Sequence, residues 1–186
     1  RMAMSDYGVV VFLPSFLRLL NKRAPKMQCI VEPVMPVSFE RLARGDLDLC
    51  ISANDPRLYG RHQPDKHIQG RLLFSDDFVC VVDPKEVDLS AGMDLDLYQK
   101  LRHNTLTFGE GFATIVEQAW LAAGLNLDIA VTAPTFSAQI LMLPGTDLVA
   151  TAQRRLANTL APSLGLAIEE CPLPLPRLNE CLAWHE

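Results

Sequence analysis

The chain has 186 residues, 49% hydrophobic and 21% charged. That suits one large folded domain or two small lobes, and it excludes a disordered or fibrous chain. The net charge of −5 argues against a free-standing nucleic-acid binder, which is normally basic, and no apolar run approaches the ~20 residues of a membrane span.

Arg1 leads directly into a strand pattern at Met2 to Met4, without an initiating Met or a leader, so the chain reads as a piece of a longer protein. Ser5 and Asp6, both good N-caps, precede an apolar run from Val9 to Leu20 with helical spacing at Phe12, Leu13, Phe16, Leu17 and Leu20. Pro14 removes one helical hydrogen bond, which predicts a kink or a loose first turn. Gln28 to Val34 reads as the second strand.

The next stretch joins a helix to a strand. Phe39, Leu42 and Ala43 form one apolar stripe, Ser38 is the expected N-cap, and Gly45 suits the left-handed position after the helix. Leu47, Leu49 and Ile51 then alternate with Asp48 and Cys50, as along a strand. This is half of an α/β repeat.

Ala53 to Gly70 is polar and reads as loop. Its His62 and His67 have no accompanying cysteine or carboxylate cluster, so no metal is expected there. Arg71 to Phe74 and Phe78 to Val82 read as strands, the second apolar on both faces as in a covered strand. Asp83-Pro84 marks a first crossing between lobes. A helix is expected over Leu95 to Arg102, a strand over Thr105 to Phe108, and a helix over Ala113 to Ala123 closed by Gly124. Gly109-Glu110-Gly111 is a turn and lacks the rest of a dinucleotide fingerprint. Leu127 to Thr132 alternates as a strand, and Pro134 to Ser137 opens a helix through Leu143. Asp147 to Thr151 is a strand and Arg154 to Leu160 a helix, ended by Pro162 and Gly165. Leu166 to Cys171 is extended, Pro172 to Pro176 is a second crossing, and Leu178 to Trp184 returns as the last strand.

Cys29, Cys50, Cys80, Cys171 and Cys181 lack Cys-x-x-Cys spacing. Such scattered residues read as reduced thiols, hence a cytoplasmic protein; redox sensing by Cys171 and Cys181 is the competing reading. The whole is an α/β fold of two Rossmann-like lobes joined by two crossover strands, with a ligand cleft between them. Lobe I takes residues 1–83 and 172–186, and lobe II residues 84–171. Ligands of such sheets bind beyond the carboxyl ends of strands, near helix starts.

Five segments in order carry a family resemblance. Met4-Ser5-Asp6-Tyr7-Gly8 with Leu13-Pro14, Leu42 to Ile51, Phe78 to Pro84, Asp147 to Thr151 with Arg155-Leu156-Ala157, and Trp184-His185 together resemble the effector-binding domain of LysR-type transcriptional regulators. The chain departs from the pattern at Gln153, where the family usually has Pro. The family's N-terminal winged helix-turn-helix domain and its usual helical continuation past Trp-His are absent from this sequence. The resemblance implies a two-lobed domain similar to periplasmic binding proteins. It implies a small-molecule effector, DNA contacted only through that N-terminal domain, a homodimer, and a tetramer in the full-length protein. The opening Ser5-Asp6-Tyr7-Gly8 is similar to the branch of nodulation regulators and regulators of aromatic-compound degradation, which implies an aromatic or phenolic effector.

By the same resemblance the effector would meet Ser5, Asp6, Phe12, Val37 and Ser38 from lobe I, and Thr107, Phe108, Thr135, Phe136 and Ser137 from lobe II. Capping alone also accounts for Ser5, Ser38 and Ser137, and core packing accounts for Phe12 and Phe136. Asp6 at that mouth would repel an anion and could accept a phenolic hydroxyl. Val9 to Leu20 is apolar nearly all round, which implies a second buried face. In the family the partner is a helix of a second subunit, here Ser137 to Leu143. No catalytic motif, cofactor motif or metal spacing is present, so an enzyme is not expected. The rival reading is a periplasmic-type solute-binding protein, which shares the architecture but seldom keeps five thiols.

Overall fold

A computed structural model describes residues 1–53, 67–107 and 113–186. The chain divides into two compact units, residues 1–76 with 178–186, and residues 77–177.

The first unit holds β1 (Met2–Met4), α1 (Asp6–Val11), α2 (Leu13–Arg23), β2 (Val31–Pro33), α3 (Ser38–Ala43), β3 (Leu49–Ala53), β4 (Ile68–Asp76) and β10 (Leu178–His185). Its sheet runs β2-β1-β3-β10-β4; β1 is parallel to β2 and β3, and β10 is antiparallel to β3 and β4. The expected long helix is two. Its break falls at Phe12, immediately before Leu13-Pro14, and Pro14 sits in the first turn of α2, where its missing N–H leaves no helical bond unmade. The loop expected up to Gly70 gives way earlier: β4 starts at Ile68 and draws its length from pairing with the eight residues of β10. Two apolar clusters cover the two faces of this sheet. Met2, Met4, Leu13 and Ile51 pack with Phe12, Phe16 and Leu182 on one, and Ala3, Phe39, Leu42, Leu47 and Cys50 on the other. Gly45 follows α3 at φ +78°, a conformation that would strain any side chain.

The second unit holds β5 (Phe78–Val82), α4 (Leu95–Lys100), β6 (Arg102–Leu106), α5 (Ile115–Ala122), β7 (Ile129–Ala133), α6 (Phe136–Leu141), β8 (Leu148–Gln153), α7 (Arg154–Leu164) and β9 (Ala167–Glu170). Its sheet runs β7-β6-β8-β5-β9, with β6 parallel to β7 and β8, and β5 antiparallel to β8 and β9. The two sheets share one plan: three parallel strands, then an antiparallel strand, then an outer strand. In each, the antiparallel strand sits next to a crossing between the units. It is β10 in the first sheet and β5 in the second.

That plan corrects the expected boundaries. The expected lobe I includes Phe78 to Val82, but this strand pairs with β8 and β9. The first crossing therefore falls at Asp76-Asp77 and the second at Arg177-Leu178. Apolarity on both faces announced a covered strand but could not say which sheet covers it. Arg177 Nε donates to Asp77 Oδ1 at 2.7 Å, tying the two ends of the second unit. Pro162 lies inside α7 rather than ending it; the stop is Gly165, at φ +69°. Among the described residues, no helix is long and apolar enough to cross a membrane.

Candidate functional site

In the first unit the carboxyl ends of β1, β2 and β3 share one edge, because the three strands are parallel. Ser5 follows β1 there. Its Oγ accepts the Gly8 N–H at 3.2 Å and caps α1, so capping is its demonstrated role. Asp6 is the first residue of α1, half-buried, where its charge complements the helix start. Val34 N–H donates to the Met4 carbonyl at 3.1 Å and brings the segment leading to α3 onto the same edge. Val37 is 52% exposed. Ser38 does not cap α3 as expected. It is the first helical residue, it is buried, and its Oγ accepts the Met35 N–H at 2.9 Å, closing the turn before the helix. Phe12 stacks on Phe16 at 5.7 Å and packs against the Met2–Ile51 cluster, which is core packing.

The second unit repeats this arrangement. Thr107 follows β6, and its N–H donates to the Ala133 carbonyl at 3.2 Å, which sets it beside the end of β7. Thr135 follows β7 and caps α6, its Oγ1 accepting the Ala138 N–H at 3.2 Å. Ser137 is therefore not the cap; its Oγ lies 3.4 Å from the Thr135 hydroxyl. Phe136 and Ser137 are half-buried in the first turn. Phe108 lies outside the described residues. Thus Ser5 and Asp6 stand at one strand edge and Thr107, Thr135, Phe136 and Ser137 at another, each edge built as strand, side-chain cap and short helix.

One residue of the first edge was missed in the sequence. Glu180 on β10 pairs with Ala53, the last residue of β3, and with Phe74 of β4, where β4 carries a bulge. It is 3% exposed, and its Oε2 has no hydrogen-bond partner among the described residues. Burial pushes its carboxyl from the ordinary 4.5 up to about 7. Nearby, the Tyr7 hydroxyl donates to Asp76 Oδ2 at 2.7 Å in a fully buried contact, and the Tyr7 ring meets Phe74 at 6.2 Å. Strand alternation could have found Glu180, since it falls in phase with the apolar Leu178 and Leu182.

Behind the second edge lies a buried polar network. Trp120 Nε1 donates to the Tyr98 hydroxyl at 2.8 Å, and the Tyr98 and Thr151 hydroxyls lie 2.7 Å apart. His103 Nε2 meets the Tyr98 carbonyl at 2.9 Å and must carry the proton, because a carbonyl only accepts. Burial holds the His103 pKa down, which keeps the ring neutral. Asn104 and Gln139 exchange side-chain bonds to each other's carbonyls, at 3.0 and 2.7 Å, and so fasten α6 to β6. Among the described residues no three His, Cys, Asp or Glu side chains group to hold a metal ion.

The comparisons agree with one another. A family model described as the LysR substrate binding domain matches residues 1–186. Nodulation protein D 2 of Rhizobium tropici is 32% identical over 185 residues, 99% of this chain and 56% of that protein. Nodulation protein D 1 of Rhizobium leguminosarum bv. phaseoli is 31% identical over 185 residues, 99% of this chain and 57% of its own. The chain thus spans about half the length of the curated relatives it matches. Among solved structures, the regulatory domain of MexT, a transcriptional activator in Pseudomonas aeruginosa, superposes with a TM-score of 0.81 at 21% identity, covering 100% of this chain and 86% of that one. At that identity the likeness concerns the fold.

Proposed function

The chain belongs to the family of LysR substrate-binding domains, and from that premise we propose that it senses a small effector and relays its binding to transcription. Membership sets the class: an effector-binding domain of a LysR-type transcription regulator, not an enzyme. The match of the family model to all 186 residues carries this reading. The rival solute-binding protein has no support among the relatives, which are regulators.

The finer proposal has four parts. The effector is aromatic or phenolic, and the residues proposed to meet it are Ser5, Asp6 and Val37 of one unit and Thr107, Thr135, Phe136 and Ser137 of the other. The full-length protein works in the cytoplasm and touches DNA through an N-terminal domain. The working assembly is a homodimer, or a tetramer in the full-length protein. Effector binding changes the arrangement of that assembly, and such a shift needs only a few kcal/mol of differential affinity. What supports the effector class is the branch that the relatives represent, together with aromatic side chains near both edges. What supports association is apolar surface left open on the helices: Val9, Leu17 and Leu19 in one unit, Leu141 and Met142 in the other. Ile140 and Leu143, which the sequence offered as partners for that surface, are buried within their own unit.

Calorimetry and thermal unfolding against a panel of phenols and aromatic acids test the effector class. At least one member should bind and raise the melting temperature. A panel without a single binder sinks the aromatic proposal and leaves the family standing. Sedimentation of the chain at micromolar concentration should show a dimer; a monomer overturns the association proposal.

A further inference from the structure

Among the described residues, the one buried carboxyl oxygen left unpartnered belongs to Glu180. It sits at the ligand edge of the first sheet, opposite the last residue of β3, and it is 3% exposed with Oε2 unpartnered. A buried carboxylate without a donor is destabilising, so a fold usually supplies a cation or several N–H groups. None is supplied to Oε2 among the described residues. Alternation places Glu180 on the face of Leu178 and Leu182, and Leu182 packs with the cluster that includes Phe12 and Ile51. Phe74, its neighbour across β4, touches the Tyr7 ring. The surroundings are therefore apolar and aromatic, and a second buried carboxyl, Asp76, lies two residues along β4, already engaged by Tyr7. Such a place suits an uncharged ring that carries a hydrogen-bond donor. It disfavours an anion, which would add negative charge beside two carboxyls in a poorly solvated region.

Resting on the effector-binding reading above, we propose that Glu180 sets effector specificity, by accepting a hydrogen bond from a hydroxyl of an uncharged aromatic effector. A bond from hydroxyl to carboxylate is short and about twice as strong as a neutral one, and it would satisfy the orphaned oxygen. The proposal separates two classes that the family reading leaves together. Phenols should bind and aromatic carboxylates should not.

The test uses the 186-residue chain and three probes: para-cresol, its methyl ether and benzoate. The ether keeps the ring and loses the donor; benzoate keeps the ring and adds charge. Calorimetry should show para-cresol preferred over its methyl ether by about tenfold or more, with benzoate weaker than either. In Glu180→Gln and in Glu180→Leu that preference should fall below about threefold while the affinity for the ether changes little. The Leu variant places an apolar side chain between Leu178 and Leu182, so it keeps the inference testable where the Gln variant folds poorly. A wild-type chain that binds para-cresol and its ether equally overturns the inference, as does a preference that survives in both variants. Equal binding of the ring compounds leaves the aromatic reading intact. Failure of all three to bind removes this inference together with the aromatic effector on which it rests.

Discussion

The two units differ in the kind of buried polar atom they leave unpartnered among the described residues: neutral side chains in the second, a carboxyl in the first. In the second unit the hydroxyls of Tyr98 and Thr151, the Trp120 indole and the His103 ring bond to one another or to backbone, and Asn104 and Gln139 bond across two elements. His103, Asn104 and Gln153 each leave one buried side-chain atom unpartnered among the described residues, yet all three are neutral, and His103 and Asn104 are bonded through another atom. In the first unit Glu180 is ionisable, and its buried Oε2 has no donor among the described residues. A satisfied network fixes how α4, α5, α6 and the sheet pack. An unsatisfied carboxyl at the sheet's edge holds no element in place through that oxygen, and it is the group the proposed effector hydroxyl would engage.

Removing one hydroxyl from the satisfied network gives the largest effect expected here. Tyr98→Phe keeps the ring that packs edge-on to His103 at 4.7 Å. It leaves the Trp120 N–H without this acceptor and takes one of the partners of the Thr151 hydroxyl, which also meets Cys80; both groups are buried. The expected cost is about 2–3 kcal/mol. Urea unfolding followed by Trp120 fluorescence, in a background where Trp184 is Phe, measures it. A midpoint that stays put would mean the network adds nothing and would break the contrast between the units.

Much of this was legible from the sequence, and the losses have physical causes. Periodicity locates the strand at Met2–Met4, the last strand over Leu178 to Trp184 (observed to His185) and the α3–β3 junction, because each pairs a clear repeat with a clear breaker. The break before Pro14 followed from a missing N–H. Sheet membership of Phe78–Val82 was not legible, since pairing with β8 and β9 is a long-range choice that a two-faced apolar run does not encode. α5 starts at Ile115 and not at the expected Ala113, because Thr114-x-x-Glu117 forms a capping box whose two reciprocal bonds are 2.7 and 3.1 Å. At the candidate edges the cap at Ser5 is readable from residue type, whereas the cap of α6 falls on Thr135 and not on the expected Ser137. Ser38 is not a cap either, because its hydroxyl turns back to Met35. Glu180 lies on a strand and not in a loop, and its sign in the sequence is a lone acid in phase with apolar strand residues.

The smaller effect lies with that acid, and its sign is the opposite of the Tyr98 result. Glu180 ionises near 4.5 in the unfolded chain and near about 7 when folded, because burial penalises its charged form. Between those values the folded state holds the proton more tightly, so stability is complete below about 4.5 and falls as pH rises toward about 7. The titratable groups around it do not reverse this. Cys50 is pushed up to about 12 by burial and Cys181 is raised as well, so both thiols stay neutral across the window. Asp76 accepts from Tyr7, which keeps that pair engaged. The ionised state therefore carries a penalty of up to about 3 kcal/mol at pH 8, and Glu180→Gln removes it. A buried Gln amide still wants partners, which offsets part of the gain, so the net stabilisation expected at pH 8 is about 1–2 kcal/mol. At pH 4 the variant should be no more stable than the wild type, because the acid is already neutral there. Urea midpoints at the two pH values, followed by Trp184 fluorescence with Trp120 changed to Phe, give the answer. A Gln variant less stable than wild type at pH 8 would show that the ionised carboxyl is satisfied in the folded chain, and the contrast between the two units would then disappear.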